Sequence, residues 1–489
     1  MGAIVGVRHK KDEDATETAW GMLQALLLKN VENFGIASSD TISIERSLQT
    51  LRKRRLASPT VIGYAFSGIT ERDRPQPLRT IDATAIFDGR IYPTNRHFSD
   101  AQVFAGRLNQ NREDVTKAFI AEVEGDFAFV IAEPGRLIVG RDSAGIRPLY
   151  YGENSVFSAV ASERKALWNI GIENVHSFPP GYVAIVDQFG FRLCRARRPV
   201  NSRLPRQVTM EAAARELQAL LERSVEERLP SLGAVAVAFS GGLDSSIIAF
   251  LSKKFCSNVT LIHVSLKNQP ETEHAKAVAE ELSLPIRICI YDENDVSKAL
   301  PLALCLIEEP DPIKASIGIP IYWAAEQAAK MSLHVMLAGQ GSDELFAGYK
   351  RYVDSLVRWG SEKTRDTIFR DIVGMHESNF ERDFKICNFH GVELRIPFVT
   401  HQIVKFATDL PVELKIQTFE NTPRKLVLRE AARNLGLSNE VVNRPKKAVQ
   451  YSTGVTKALR RLAKEKRLSL KEYIRGTYRE ARKGIVPDA

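Results

Sequence analysis

Val237-Ala238-Phe239-Ser240-Gly241-Gly242-Leu243-Asp244-Ser245-Ser246 decides the reading of this 489-residue chain. An apolar run over 234–239 ends at a serine and two glycines, and a helical pattern follows over 245–254. Paired glycines let the backbone turn tightly and direct successive N–H groups to one point, where a helix N-terminus adds partial positive charge. The hydroxyls of Ser240, Ser245 and Ser246 add donors for phosphate oxygens. Asp244 would repel bare phosphate, so its place in the loop implies a Mg²⁺ between the two. The Gly-Lys-Ser/Thr ending of a Walker A loop is absent. A ligand-free glycine turn explains a bare Ser-Gly-Gly but not the whole string.

Outward from this loop, apolar strands at 259–264, 286–291 and 333–338 alternate with helical stretches at 210–228, 273–282, 296–307 and 319–331. Buried strands separated by amphipathic helices predict an α/β domain with a parallel sheet covered on both faces. The strand at 333–338 runs into Gly339-Gln340-Gly341-Ser342-Asp343-Glu344, again at a carboxyl end where open sheets bind ligands. Asp343 is a second oxygen ligand for the same metal; an acidic helix cap explains Asp343 or Glu344 alone, not the string. From about 345 the chain reads mainly helical.

The first part differs. Short runs at 61–66, 84–87, 127–132, 136–140, 156–160 and 182–187, with helices at 16–28 and 101–109, predict layered antiparallel sheets. An arginine-rich stretch with two prolines at 192–206 reads as a surface linker. The expected division is therefore 1–195, a linker at 196–208, and 209–489.

Composition narrows the classes. Hydrophobic residues make up 44% and charged residues 26%, which excludes a disordered chain. No apolar run is long enough for a membrane-spanning helix, and the N-terminus lacks the apolar core of a signal peptide, so a cytoplasmic protein is expected. The five cysteines form no C-x-x-C pair, which argues against a disulfide framework or a zinc site. The net charge of +9 could signal a nucleic-acid partner, but residues 457–483 carry eleven Lys+Arg and three Glu, a net +8. The rest of the chain is nearly neutral. The excess is one basic segment, either a solvated helix face or a surface for nucleotide or an acidic chain, and no aromatic-interleaved basic module accompanies it.

SGGLDSS (240–246) resembles the pyrophosphate loop of ATP pyrophosphatases. Together with AGQGSDELFAGYKRY (338–352), GVELRIPF (391–398), NRPKKAVQYSTG (443–454), FDGRIYP (87–93), GDFAFVIAE (125–133) and GRDSAGIRPLYYG (140–152), it makes nearly the whole chain resemble the glutamine-dependent asparagine synthetase family. That resemblance implies an α+β, four-layer, Ntn-like N-terminal sandwich of the class II glutaminase type. It implies an adenine nucleotide α-hydrolase-like α/β domain with a helical C-terminal part. The cofactors implied are ATP and Mg²⁺; the substrates are an aspartate-like carboxylate, made into an acyl-AMP, and ammonia or another amine. Residue by residue, Ser240, Gly241, Gly242, Asp244, Ser245 and Ser246 cradle pyrophosphate, Asp244 and Asp343 hold the metal, and Phe239, Val264, Ala338 and Gly339 line the nucleotide site. Lys446 stabilises charge on the α-phosphate, with Lys447 as its rival. The lack of a long apolar run predicts no membrane partner, and the resemblance allows a homodimer.

The chain departs from the family at both sites. Gly2 stands where the nucleophilic cysteine belongs, and glycine has no side chain to attack glutamine. Asp88-Gly89 replaces an Asn-Gly oxyanion pair, Phe66 falls near the glutamine-binding arginine, and Asp100 matches a ligand aspartate that could equally cap the next helix. In the synthetase part Gln340 replaces a catalytic glutamate, and Thr400 replaces an aspartate. Glu393 and Arg395 remain, as catalytic groups or as a structural ion pair. The expected activity is an AMP-forming amide ligase that does not hydrolyse glutamine; asparagine synthesis from ammonia is one version. The alternatives are an intramolecular amide former of the β-lactam synthetase kind, a pyrophosphatase-loop enzyme acting on nucleic acid, and a non-catalytic or regulatory homologue.

Overall fold

The structure is a computed structural model that describes residues 2–95, 97–108, 111–198, 205–229, 233–418, 423–445 and 452–483. The chain forms two compact units. The first takes the N-terminal part to about 198, Asn388–Glu393, and the described chain end from Glu480; the second takes the remainder.

The first unit holds two antiparallel sheets. One has the strand order β11-β9-β10-β1-β4-β2-β3, from β1 (Gly2–His9), β2 (Asn33–Ala37), β3 (Ile42–Glu45), β4 (Thr60–Phe66), β9 (Tyr150–Glu153), β10 (Phe157–Ala161) and β11 (His176–Ser177). The other has the order β13-β12-β8-β7-β6-β5, from β5 (Leu78–Arg79), β6 (Thr84–Tyr92), β7 (Glu124–Glu133), β8 (Arg136–Arg141), β12 (Tyr182–Asp187) and β13 (Gly190–Arg195). Three buried clusters explain the stacking. Ile4, Ile62, Ile86 and Val130 pack between the sheets. Val5, Val61 and Ala159 face the helix Thr16–Ala25 through Ala19 and Leu23, while Phe87, Phe127 and Phe129 face the helices carrying Phe104 and Phe119. Alternate residues of each strand thus serve opposite cores, so both faces are apolar.

The division expected at 195 needs two corrections: Asn388–Glu393 and the described chain end from Glu480 group with the first unit. For Asn388–Glu393 the physical reason is specific bonding. Asn388 donates to the carbonyl of Gly2 at 3.0 Å, Phe389 accepts from the N–H of Lys29 at 3.1 Å, and Glu393 pairs with Arg90 at 2.7 Å.

The second unit is built on the parallel strands β14 (Val235–Ala238), β15 (Val259–Leu266), β16 (Ile286–Tyr291) and β17 (Val335–Leu337), in the sheet order β16-β15-β14-β17-β18, where β18 (Glu393–Arg395) contributes Leu394 and Arg395 to this unit. β14 to β17 run parallel. The chain winds from β14 to β15 and β16 on one side, then crosses to β17 on the other. The crevice between the carboxyl ends of β14 and β17 is therefore the switch point where such sheets take ligands. The helices Val455–Glu465 and Leu470–Lys483 bury a narrow apolar stripe and leave all eleven cations of 457–483 exposed. Among the described residues no helix is long and apolar enough to cross a membrane, and all five cysteines are unbridged.

Candidate functional site

In the second unit, β14 ends at Ala238 and the helix Leu243–Phe255 begins five residues later. Gly241 makes this turn possible: its φ is +69°, and a Cβ there would sit 2.9 Å from the Cα of Ala275. The loop is braced from within. Gly242 N–H donates to Ser240 Oγ at 3.3 Å, Ser240 N–H donates to Ser245 Oγ at 3.3 Å, and His274 Nε2 donates to the Gly241 carbonyl at 2.9 Å.

A cleft with about 210 Å³ of room for solvent opens at the switch point. It brings together Phe239, Ser240, Asp244, Ser245, Val264, Ala338, Gly339, Gln340 and Asp343, nine of the residues expected from sequence. Gly242 borders an adjoining recess with Ser240 and Asp244. Ser246 does not join them. It is fully buried, and its hydroxyl has no hydrogen-bond partner among the described residues, which corrects its expected role as a phosphate donor. Helical geometry turns it away from the loop that Ser245 faces. Lys446 and Lys447 lie outside the described residues; Arg444 and Pro445, just before them, border the recess.

The electrostatic centre is a residue that sequence reasoning missed. Lys425 is buried, and its Nζ lies 2.7 Å and 2.8 Å from the two carboxylate oxygens of Asp244, 2.7 Å from Asp343 Oδ1 and 2.8 Å from Ser342 Oγ. Both aspartates therefore converge on one cation position. That geometry fits Mg²⁺, which takes one or two carboxylates and completes its shell with phosphate and water. No cluster of three or more His, Cys, Asp or Glu exists among the described residues, so an all-protein cage is not on offer. Arg429, one helical turn beyond Lys425, and Arg444 border the recess too. The signal for them was the i, i+4 spacing of Lys425 and Arg429 in Arg424-Lys425-Leu426-Val427-Leu428-Arg429.

Further along the cleft, Glu344 is buried and accepts from Tyr349 Oη at 2.6 Å and Asn379 Nδ2 at 2.9 Å. Burial, and then the charge of Asp343, push its carboxyl up; burial, and then Glu344, push the Tyr349 phenol far up, so it stays a donor. Gln340 donates to Asp383, whose carboxylate is forked by Arg382. Burial pushes Asp383 up against the pull of Arg382. Thr400 caps the helix His401–Asp409 by accepting from the N–H of Ile403 at 3.0 Å, a structural duty at the position of the missing carboxylate.

Glu393 is not in the cleft. It is completely buried and belongs to an ion cluster of the first unit, where Arg90 reaches Glu393 at 2.7 Å, Asp73 at 2.6 Å and Asp100 at 3.4 Å. This corrects its expected catalytic role. Burial opposes ionisation of Asp73, but the charge and hydrogen bonds of Arg90 hold it well below the usual carboxylate range; at Asp100 burial prevails and the carboxyl is pushed up.

The residues expected from sequence to form a degenerate glutamine site lie in the same unit. Gly2 pairs with Phe66 in the sheet, and a Cβ at Gly2 would meet the Ala65 carbonyl at 2.1 Å and the Tyr64 ring at 2.5 Å. Asp88 accepts from Tyr64 Oη at 2.9 Å and lies 3.9 Å from Arg147. Gly89 beside it has φ +142°, a conformation that glycine adopts readily and other residues rarely do. Asp100 does not cap the helix Asp100–Arg107; Ser99 does, in a reciprocal box with Gln102, because only the residue before the first turn has the extended backbone that a cap needs.

Comparison with known proteins agrees in both units. The asparagine synthase family profile matches residues 216–370 and 359–483, and the glutamine amidotransferase domain profile matches 69–169. The chain is 27% identical to the putative glutamine-hydrolyzing asparagine synthetase 1 of Methanocaldococcus jannaschii, over 95% of this chain and 96% of that one. It is 26% identical to the glutamine-hydrolyzing root asparagine synthetase of Pisum sativum, over 74% of this chain and 63% of the pea protein. Among solved structures, the glutamine phosphoribosylpyrophosphate amidotransferase of B. subtilis aligns at 17% identity and a TM-score of 0.36, over 58% of this chain and 65% of that one. With a profile match over more than half its length, the chain belongs to the asparagine synthase family.

Proposed function

We propose that the chain is an ATP-dependent, AMP-forming amide ligase that takes its nitrogen from ammonia or another amine rather than from glutamine. One observation carries this reading: Asp244 and Asp343, from loops that end different strands, meet at one cation position beside a glycine loop. A Mg²⁺ held there would neutralise the β- and γ-phosphates as pyrophosphate departs. The N–H groups of the loop and the hydroxyls of Ser240 and Ser245 bind pyrophosphate, and Lys425, Arg429 and Arg444 supply the remaining positive charge. Phe239, Val264, Ala338 and Gly339 take the nucleoside, and Lys446 stabilises charge on the α-phosphate. The substrate carboxylate attacks that phosphorus, pyrophosphate leaves, and an amine then displaces AMP from the acyl-adenylate.

In this reading the part at 1–195, a four-layer glutaminase-like sandwich, is catalytically silent, 196–208 joins it to the synthetase part at 209–489, and the protein works in the cytoplasm. The loss of any side chain at Gly2 and the carboxylate at Asp88 support the silence. The test is incubation with ATP, Mg²⁺, aspartate or other amino and carboxylic acids, and either ammonia or glutamine. AMP and pyrophosphate are expected with ammonia and one of the acids, and no glutamate from glutamine. If no acid and amine yields AMP, the ligase reading fails.

A further inference from the structure

Gln340 lies at the carboxyl end of β17 and lines the cleft, where the family has a glutamate. Its Nε2 donates to Asp383 Oδ2 at 2.5 Å. Asp383 is completely buried, and Arg382 grips both of its oxygens, Nε to Oδ1 at 2.6 Å and Nη2 to Oδ2 at 3.0 Å. Because both oxygens already accept from a guanidinium, Asp383 can only accept from the amide as well. That settles which way the amide of Gln340 is turned: the nitrogen faces Asp383, and Oε1 is the atom left over. Oε1 has no hydrogen-bond partner among the described residues.

An attacking amine needs an acceptor that orients its N–H and a lone pair that is not protonated. A carboxylate meets the first need and works against the second, because negative charge favours the ammonium form. An amide oxygen accepts the N–H without adding a charge. We propose that Gln340, held by Asp383, positions the amine and selects one that enters uncharged, a weakly basic amine in preference to ammonia, which is mostly ammonium at neutral pH. Gln340 touches the substrate; Asp383 is a positioning residue that acts through it. As the nitrogen forms the C–N bond, the acyl C–O bond to AMP breaks, AMP leaves with the electron pair, and the nitrogen's proton passes to solvent. This inference rests on the ligase reading.

The experiment compares hydroxylamine with ammonia as nucleophile, at one pH, using the acid that supports pyrophosphate exchange. Gln340→Glu is expected to shift the ratio of kcat/KM for hydroxylamine over ammonia about tenfold toward ammonia. Gln340→Leu is expected to raise the amine KM about tenfold more than the KM for ATP, the factor of about one hydrogen bond. Asp383→Asn should raise the amine KM in the same selective way by letting the amide turn. Should that variant fail to fold, Gln340→Leu carries the test, because it breaks no buried ion pair. An unmoved ratio in Gln340→Glu, or equal changes in both KM values in Gln340→Leu, overturns the inference while exchange persists. Absence of exchange with every acid in the unsubstituted chain overturns the ligase reading, and this inference with it.

Discussion

The ion cluster around Arg90 in the first unit and the cleft of the second handle their carboxylates in opposite ways. In the first, Asp73, Asp100 and Glu393 are gathered around Arg90, and Asp88 and Asp126 lie within 4.0 Å of Arg147. Charge there is offset by guanidinium groups, Arg90 on β6 and Arg147 in the loop between β8 and β9, and the remaining recess beside Arg90 is small, with about 20 Å³ of room. In the second, Asp244 and Asp343 share a single lysine at the edge of a cleft ten times roomier. An ammonium on a flexible stem can yield its place to a metal and turn to phosphate; a bidentate arginine clamp cannot do so cheaply. The same residue chemistry thus closes one site and leaves the other open to ligand.

The largest expected effect breaks the open side. Asp244→Ala should lower pyrophosphate exchange by about a thousandfold, because several kcal/mol of charge stabilisation would depend on the metal we propose it holds. An effect below about tenfold would remove the metal role from the comparison. Next comes the closed side. Arg90→Met removes the shared partner of three buried carboxylates and should cost about 3–5 kcal/mol, read as a lower Tm at neutral pH with exchange measured in parallel. The pH dependence has a definite sign. Asp73, held low by Arg90, stabilises the fold above its ordinary pKa, and that stability is lost as pH falls. Without Arg90 the carboxyl rises instead, so the variant's deficit should shrink as pH is lowered toward about 4. A deficit that grows on acidification would contradict the clamp. The smallest effect concerns the nucleophile: Gly2→Cys should restore no glutamine hydrolysis and cost about 1–3 kcal/mol, because the new Cβ meets backbone and the Tyr64 ring. Appearance of glutamate from glutamine would show the first site to be merely unarmed.

Much of the second unit was legible in the sequence. The helix Met210–Arg228 and strand β16 were expected at the bounds they have, and the loop after β14 announced itself through Ser240-Gly241-Gly242 and Asp244. Local pattern suffices where a strand is a short run rich in β-branched residues and its helix is amphipathic. β1 escaped the strand reading although it is central, because Gly2–His9 shows neither alternation nor flanking turn residues and ends in two polar residues that are buried. Arg8 is tolerated there because its Nε donates to the Gly135 carbonyl at 2.8 Å, a partner 127 residues away.

The sequence by itself determined the alternation of strands and helices in the second part, the glycine loop after β14, the two aspartates we propose as metal ligands and the absence of a side chain at residue 2, since each is written in neighbouring residues whose backbone geometry and chemistry act locally. Only the tertiary structure decided which charges meet. Lys425 reaches Asp244 across 181 residues, Arg90 reaches Glu393 across 303, and Gln340 reaches Asp383 across 43. A charged side chain's partner is set by where the fold buries it, and an unpaired buried charge is too costly to leave, so these pairings follow from packing rather than from spacing along the chain.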